Sequence, residues 1–211
     1  MAISPSTELT DLITFNILSN GSRIPDTIDI VGFEIEQVAD ASDQAFITIY
    51  DGRPGGEGFH VANSKTFELE NHIEIKLGYN NTMTTVFKGS IHGQQLAGNA
   101  NEPSQLNVIC NTGTNAINSK RPADVNLSKT PVLKLTYGVD VLEFELLLHH
   151  DDPMQIEGVV SFQGFANTNV NDTLILENFS DKFNTTYVIS RVIHHVADGD
   201  WTTTAFIAGK L

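Results

Sequence analysis

Ile73-Glu74-Ile75-Lys76-Leu77, then Gly78-Tyr79-Asn80-Asn81, then Val86-Phe87-Lys88-Gly89-Ser90-Ile91: the fold is decided here. Apolar side chains occupy every second position of the first segment, which is the period of a half-buried strand. The Gly- and Asn-containing stretch between the segments is turn chemistry. The three pieces therefore read as strand, turn, strand. Further along the chain the pattern returns: Ile73, Ile75, Phe87, Gly89 and Ile91 fall opposite Leu174, Leu176, Val188, Ser190 and Val192 at a constant offset of 101 residues. Recurrence of a whole strand-turn-strand unit at fixed spacing marks two similar halves.

Working outward, the same texture fills the chain. Thr14-Phe15-Asn16-Ile17-Leu18 runs into Ser19-Asn20-Gly21-Ser22, and Asn-Gly is the pair that accepts the positive φ angles of a type I′ hairpin. In Ile28 to Glu36, Val31, Phe33 and Ile35 are expected on one face and Gly32, Glu34 and Glu36 on the other. Phe46 to Tyr50 is another strand, ending at Asp51-Gly52, and Arg53 to Gly58 is too rich in Gly and Pro for regular structure. Gln105 to Cys110 closes this half. Asn111 to Thr130, poor in aromatics, reads as a connector with room for one short helical turn. Beyond it come Val132 to Tyr137, Val141 to Leu148, Val159 to Phe162, Leu174 to Leu176, Tyr187 to Val192 and Trp201 to Ile207, all of strand length and composition. The expectation is an all-β protein with minor helix, built as two tandem β-barrel or sandwich halves over residues 1–118 and 119–211.

The 211 residues carry 12 Lys and Arg against 26 Asp and Glu, a formal charge of -14. A surface of that sign repels phosphate backbones and anionic lipid heads, so neither nucleic acid binding nor membrane insertion is expected. No segment reaches the roughly 20 apolar residues of a membrane-spanning helix. Met1 to Pro5 has no signal-peptide pattern, which points to synthesis in the cytoplasm. The single cysteine, Cys110, lies in an apolar run and reads as a buried, inert thiol.

Candidate chemistry weighs against an enzyme. His149-His150-Asp151-Asp152 has the residue types of a transition-metal site, but neighbouring residues on a strand point to opposite faces and cannot share one ion. His194-His195 meets the same objection. Gly52 to Gly58 holds no lysine and precedes Phe59-His60-Val61, not a helix, so it is not a phosphate cradle. Glu143 and Glu145 are the wet side of a strand. Trp201, after the turn Asp198-Gly199-Asp200, suits a core or interface anchor, with a sugar-stacking role as the alternative. No catalytic, cofactor-binding or metal-binding residue is assigned, and no cofactor is expected.

Collinear motifs resemble a known family. Gly158-Val159-Val160-Ser161-Phe162-Gln163-Gly164, Asp181-Lys182-Phe183-Asn184, Val188 to His194 and Asp198 to Thr203 are similar, in order and spacing, to the closing segment of the tail-hub domain of VgrG proteins, the spike carriers of type VI secretion systems related to contractile phage tail hubs. Ser19 to Pro25, Ala62-Asn63-Ser64, Asn71 to Tyr79 and Phe87-Lys88-Gly89 resemble that family's first barrel, and Pro131 to Phe144 the opening of its second. The resemblance implies a hub of a contractile injection machine: a homotrimer whose six barrels match a hexameric tube protein on one side and trimeric spike and baseplate proteins on the other. Such a hub is assembled in the cytoplasm and then forms part of the injection particle or is secreted with the spike. Two departures stand out. Only about ten residues join Leu148 to Val159, where the family carries a long, partly helical segment, and the chain stops at Leu211 without a spike. Rival readings are a carbohydrate-binding or adhesive β-module and a small metal-dependent hydrolase using His149, His150, Asp151 or His194.

Overall fold

The computed structural model describes residues 2–5, 12–53, 56, 58–113, 132–150 and 155–210. Of the connector expected over Asn111 to Thr130, Asn111 is the last residue of strand Gln105–Asn111 and residues 114–130 lie outside the described residues, as do the 118/119 division and Asp151 and Asp152. Among the described residues fourteen strands form one hydrogen-bonded sheet. In chain order they are β1 (Ala2–Ile3), β2 (Ile13–Ser19), β3 (Ser22–Arg23), β4 (Asp29–Val38), β5 (Gln44–Tyr50), β6 (His72–Tyr79), β7 (Thr82–Ala97), β8 (Gln105–Asn111), β9 (Val132–Thr136), β10 (Val141–His149), β11 (Gln155–Gln163), β12 (Thr173–Glu177), β13 (Thr186–Ala197) and β14 (Asp200–Lys210). Lys65–Phe67 is a 3-10 turn capped by the Ser64 hydroxyl, which accepts from the Thr66 N–H.

The sheet divides into two runs of neighbours, β2-β6-β7-β8-β5-β4 and β9-β12-β13-β14-β11-β10. Each run has its own hydrophobic core. The first gathers Ile17, Phe33, Ile47, Ile75, Phe87 and Val108, and the second Leu135, Val160, Phe162, Leu176, Tyr187 and Ile189. In both, the end strands approach through aromatic rings. Phe15 of β2 meets Phe33 of β4 at 5.3 Å between ring centroids, and Tyr137 beyond β9 meets Phe144 of β10 at 5.5 Å. Each run is thus a curled sheet whose two ends are brought together by side-chain ring contacts.

The repeat is finer than sequence pattern revealed. Bulges interrupt β4 against β5 between Ile30 and Gly32, and β10 against β11 between Val141 and Glu143. A second pair interrupts β7 against β8 between Ile91 and Gly93, and β13 against β14 between Ile189 and Arg191. Glu70 (φ 71) and Asn171 (φ 68) are both left-handed. Each donates its N–H to the matching strand, to the Ile91 carbonyl at 2.9 Å and the Ile189 carbonyl at 2.8 Å. Bulges re-aim strands, so repeating them at matched places repeats the curvature.

Three sequence expectations need correction. Ile73 does match Leu174, but Ile91 matches Ile189 and not Val192, because Leu174 pairs with Tyr187, thirteen residues on, whereas Ile73 pairs with Gly89, sixteen residues on. Gly78 and Tyr79 are not turn residues: they pair with Met83 and Thr82, and the turn is Asn80-Asn81 alone, with φ of 50 and 66. Val31 does not follow the alternation of Phe33 and Ile35, because it is the extra residue of a bulge. The repeat is also incomplete, since β2 lies antiparallel to β6 whereas β9 lies parallel to β12.

Candidate assembly surface

The two runs meet at one joint. Strand β4, the last of the first run, pairs antiparallel with the outer half of β13, from Arg191 opposite Val38 to Ala197 opposite Gly32. Gly32 is required there, since a Cβ would stand 2.6 Å from the Val196 carbonyl oxygen. On the outer face Arg191 forms an ion pair with Glu36 and lies over the Phe206 ring, 4.6 Å from its centroid. His195 approaches Glu34 at 3.7 Å. On the inner face Val196 and Trp201, both from the second run, sit in the core of the first. Trp201 stacks on Tyr79 of β6 at 5.1 Å.

Alternation along β13 separates its two histidines. His195 faces solvent, while His194 is fully buried beside Trp201, with ring centroids 5.9 Å apart. The Thr203 hydroxyl lies 3.0 Å from His194 Nδ1 and also accepts from the Phe165 N–H. His194 Nε2 is buried without a hydrogen-bond partner, so the ring has no acceptor for a second proton. Burial pushes the His194 pKa down to about 4.

The other sequence candidates are dispersed. His149 Nε2 bonds Glu157 Oε1 across the β10–β11 hairpin at 2.9 Å, and His150 is exposed just beyond β10. No group of three or more potential metal ligands occurs among the described residues. Glu143 and Glu145 are exposed on β10. Trp201 offers no free face for a sugar, being 4% exposed. Cys110 is buried, its pKa pushed up to about 12 by desolvation. In the Gly-rich loop, buried Asp51 accepts the N–H groups of Val61 and Ala62 at 3.0 and 2.7 Å, which pins the chain after Gly58. The short join from Leu148 to Val159 is a hairpin in which β10 and β11 continue to pair as far as His149 opposite Gln155.

What the sequence reading passed over is a pair of strand edges. Strand β10 pairs only with β11, so its far edge is open among the described residues. It exposes Leu142, Phe144 and Leu147 at 65%, 42% and 52%. The outer half of β7, Gly93 to Ala97, pairs with β8 on one side only, since β6 pairs no further along it than Ser90. Leu96 there is 44% exposed. A signal existed: Leu146-Leu147-Leu148 puts apolar side chains on both faces of β10, which a strand with one wet face does not need. No helix among the described residues is long and apolar enough to cross a membrane.

Comparison with known proteins places this geometry. The family model described as Alg8 N-terminal domain matches residues 9–125. The chain belongs to that family. No curated protein matches this chain in sequence. Among solved structures, a tail protein from Neisseria meningitidis MC58 superposes with a TM-score of 0.64 at 6% identity, over 94% of this chain and 96% of its own. The 43 kDa tail protein of prophage MuSo2 from Shewanella oneidensis gives 0.63 at 7% identity, over 92% and 98%. The E. coli c3393 protein, described as a type VI secretion system component structurally similar to T4 bacteriophage tail proteins gp27 and gp5, gives 0.58 at 10% identity, over 91% and 76%. At such identities the likeness is one of fold, and the all-β, tail-hub-like fold expected from the sequence is the fold observed.

Proposed function

We propose that the chain is a non-enzymatic structural subunit of a contractile injection machine, a VgrG-like hub that joins a hexameric tube to a trimeric spike. The observation that carries this reading is the edge-to-edge joint β4–β13, which sets two similar curled sheets, each with its own core, side by side in one sheet. A subunit holding two similar units, residues 1–118 and 119–211, presents six of them when three copies close a ring, which matches six tube subunits while keeping threefold symmetry for a spike. The tail proteins that share the fold over more than nine-tenths of this chain support the same role. Its partners are then two further copies of itself, the tube protein and spike or baseplate proteins, assembled in the cytoplasm before the particle is deployed. Electron microscopy of the chain with the tube and spike proteins of its own system tests the proposal. Rings of three copies at the tube end are expected. A strict monomer that joins neither partner overturns it.

A further inference from the structure

The joint inside the chain is a template for a joint between chains. Matching the runs by their bulges, Phe33 and Ile35 of β4 correspond to Phe144 and Leu146 of β10. Gly93 and Leu96 of β7 correspond to Arg191 and His194 of β13. In the chain, the β4 edge fills the outer half of β13. The corresponding pair, β10 and the outer half of β7, are both open edges among the described residues. Burial follows occupancy: Phe33 is 3% exposed against 42% for Phe144, and His194 is 0% exposed against 44% for Leu96.

We infer that β10 of one copy pairs antiparallel with the outer half of β7 in the next copy, in the register the β4–β13 joint dictates: His149 opposite Gly93, Leu147 opposite Gln95 and Glu145 opposite Ala97. This deepens the ring reading above and rests on it. The two edges differ, so the contact is heterologous and propagates head to tail until it closes. Open edges are ordinarily blunted by charge, proline or brevity. The β7 edge, Gly93-Gln94-Gln95-Leu96-Ala97, carries no charge in a chain of net charge -14, so it can receive the glutamates of β10 without like-charge opposition. The copy also ends where it must. Gly32, which lets β4 approach Val196, is replaced by Glu143, but β7 stops at Ala97, so no residue of the strand remains to face it.

Variants with one added cysteine test the register, because the native Cys110 is fully buried and out of reach of a neighbouring copy. Gln95→Cys mixed with Leu147→Cys, full-length and under mild oxidation, is expected to give a disulfide-linked dimer, and neither variant alone gives one. Gln95→Cys with Glu145→Cys, displaced by two residues, is expected to cross-link at least tenfold less. Oligomers that form by mass while cross-links appear only in the displaced pair, only within one variant, or in no pair overturn the pairing and leave the ring reading standing. A chain that remains monomeric at every concentration and with its tube protein overturns both.

Discussion

His194 is the residue whose chemistry is most constrained by its place. Its native pKa of about 4 lies below the 6.5 of an exposed imidazole, so the unfolded chain binds the proton more tightly than the folded one. Its contribution is fully present above pH 6.5 and is lost progressively as pH falls from 6.5 toward 4, at about 1.4 kcal/mol for each unit. Urea unfolding at pH 7.5 and 5.5 should show a loss of about 1 kcal/mol in the native protein that His194→Gln largely lacks. Gly164 is constrained by sterics. A Cβ there would stand 2.0 Å from the Trp201 ring, so Gly164→Ala should displace the indole and cost on the order of 2–4 kcal/mol by thermal melting, with altered Trp fluorescence. Asp51→Ala leaves two backbone N–H groups without their acceptor. It should make the segment around Val61 the first site of limited proteolysis, with a stability loss of about 1–3 kcal/mol.

At the scale of the element, strand identity was legible and strand register was not. Period-two patterning located β6, β8 and β13 because each has one buried face, and Asn20-Gly21 announced its hairpin through φ angles of 48 and 79. Bulges leave no such mark, since one extra residue flips the side chains that follow, and so Val31 and the second half of the internal repeat were misplaced. The edges of β10 and β7 escaped for another reason. Whether a backbone N–H is already partnered depends on which strand lies beside it, and that neighbour is set by topology. Leu147 makes the element-scale prediction. It is half exposed, so Leu147→Lys should leave the melting temperature of the isolated chain unchanged within about 2 °C, while weakening self-association at least tenfold by sedimentation.

For the whole molecule, a charge of -14 opposes the approach of identical copies. Association should therefore strengthen as salt rises from about 10 to about 150 mM, where the screening length falls from roughly 30 to 8 Å, and mass photometry across that range reads the shift. The two cores are unequal partners in this architecture. Trp201 and Val196 complete the first core, whose other buried members all lie between Ile17 and Cys110. A chain leaving the ribosome N-terminus first thus carries a gap in that core until residue 201 has cleared the exit tunnel. The first hundred residues therefore cannot close their core alone, and its completion is tied to synthesis of the last strands.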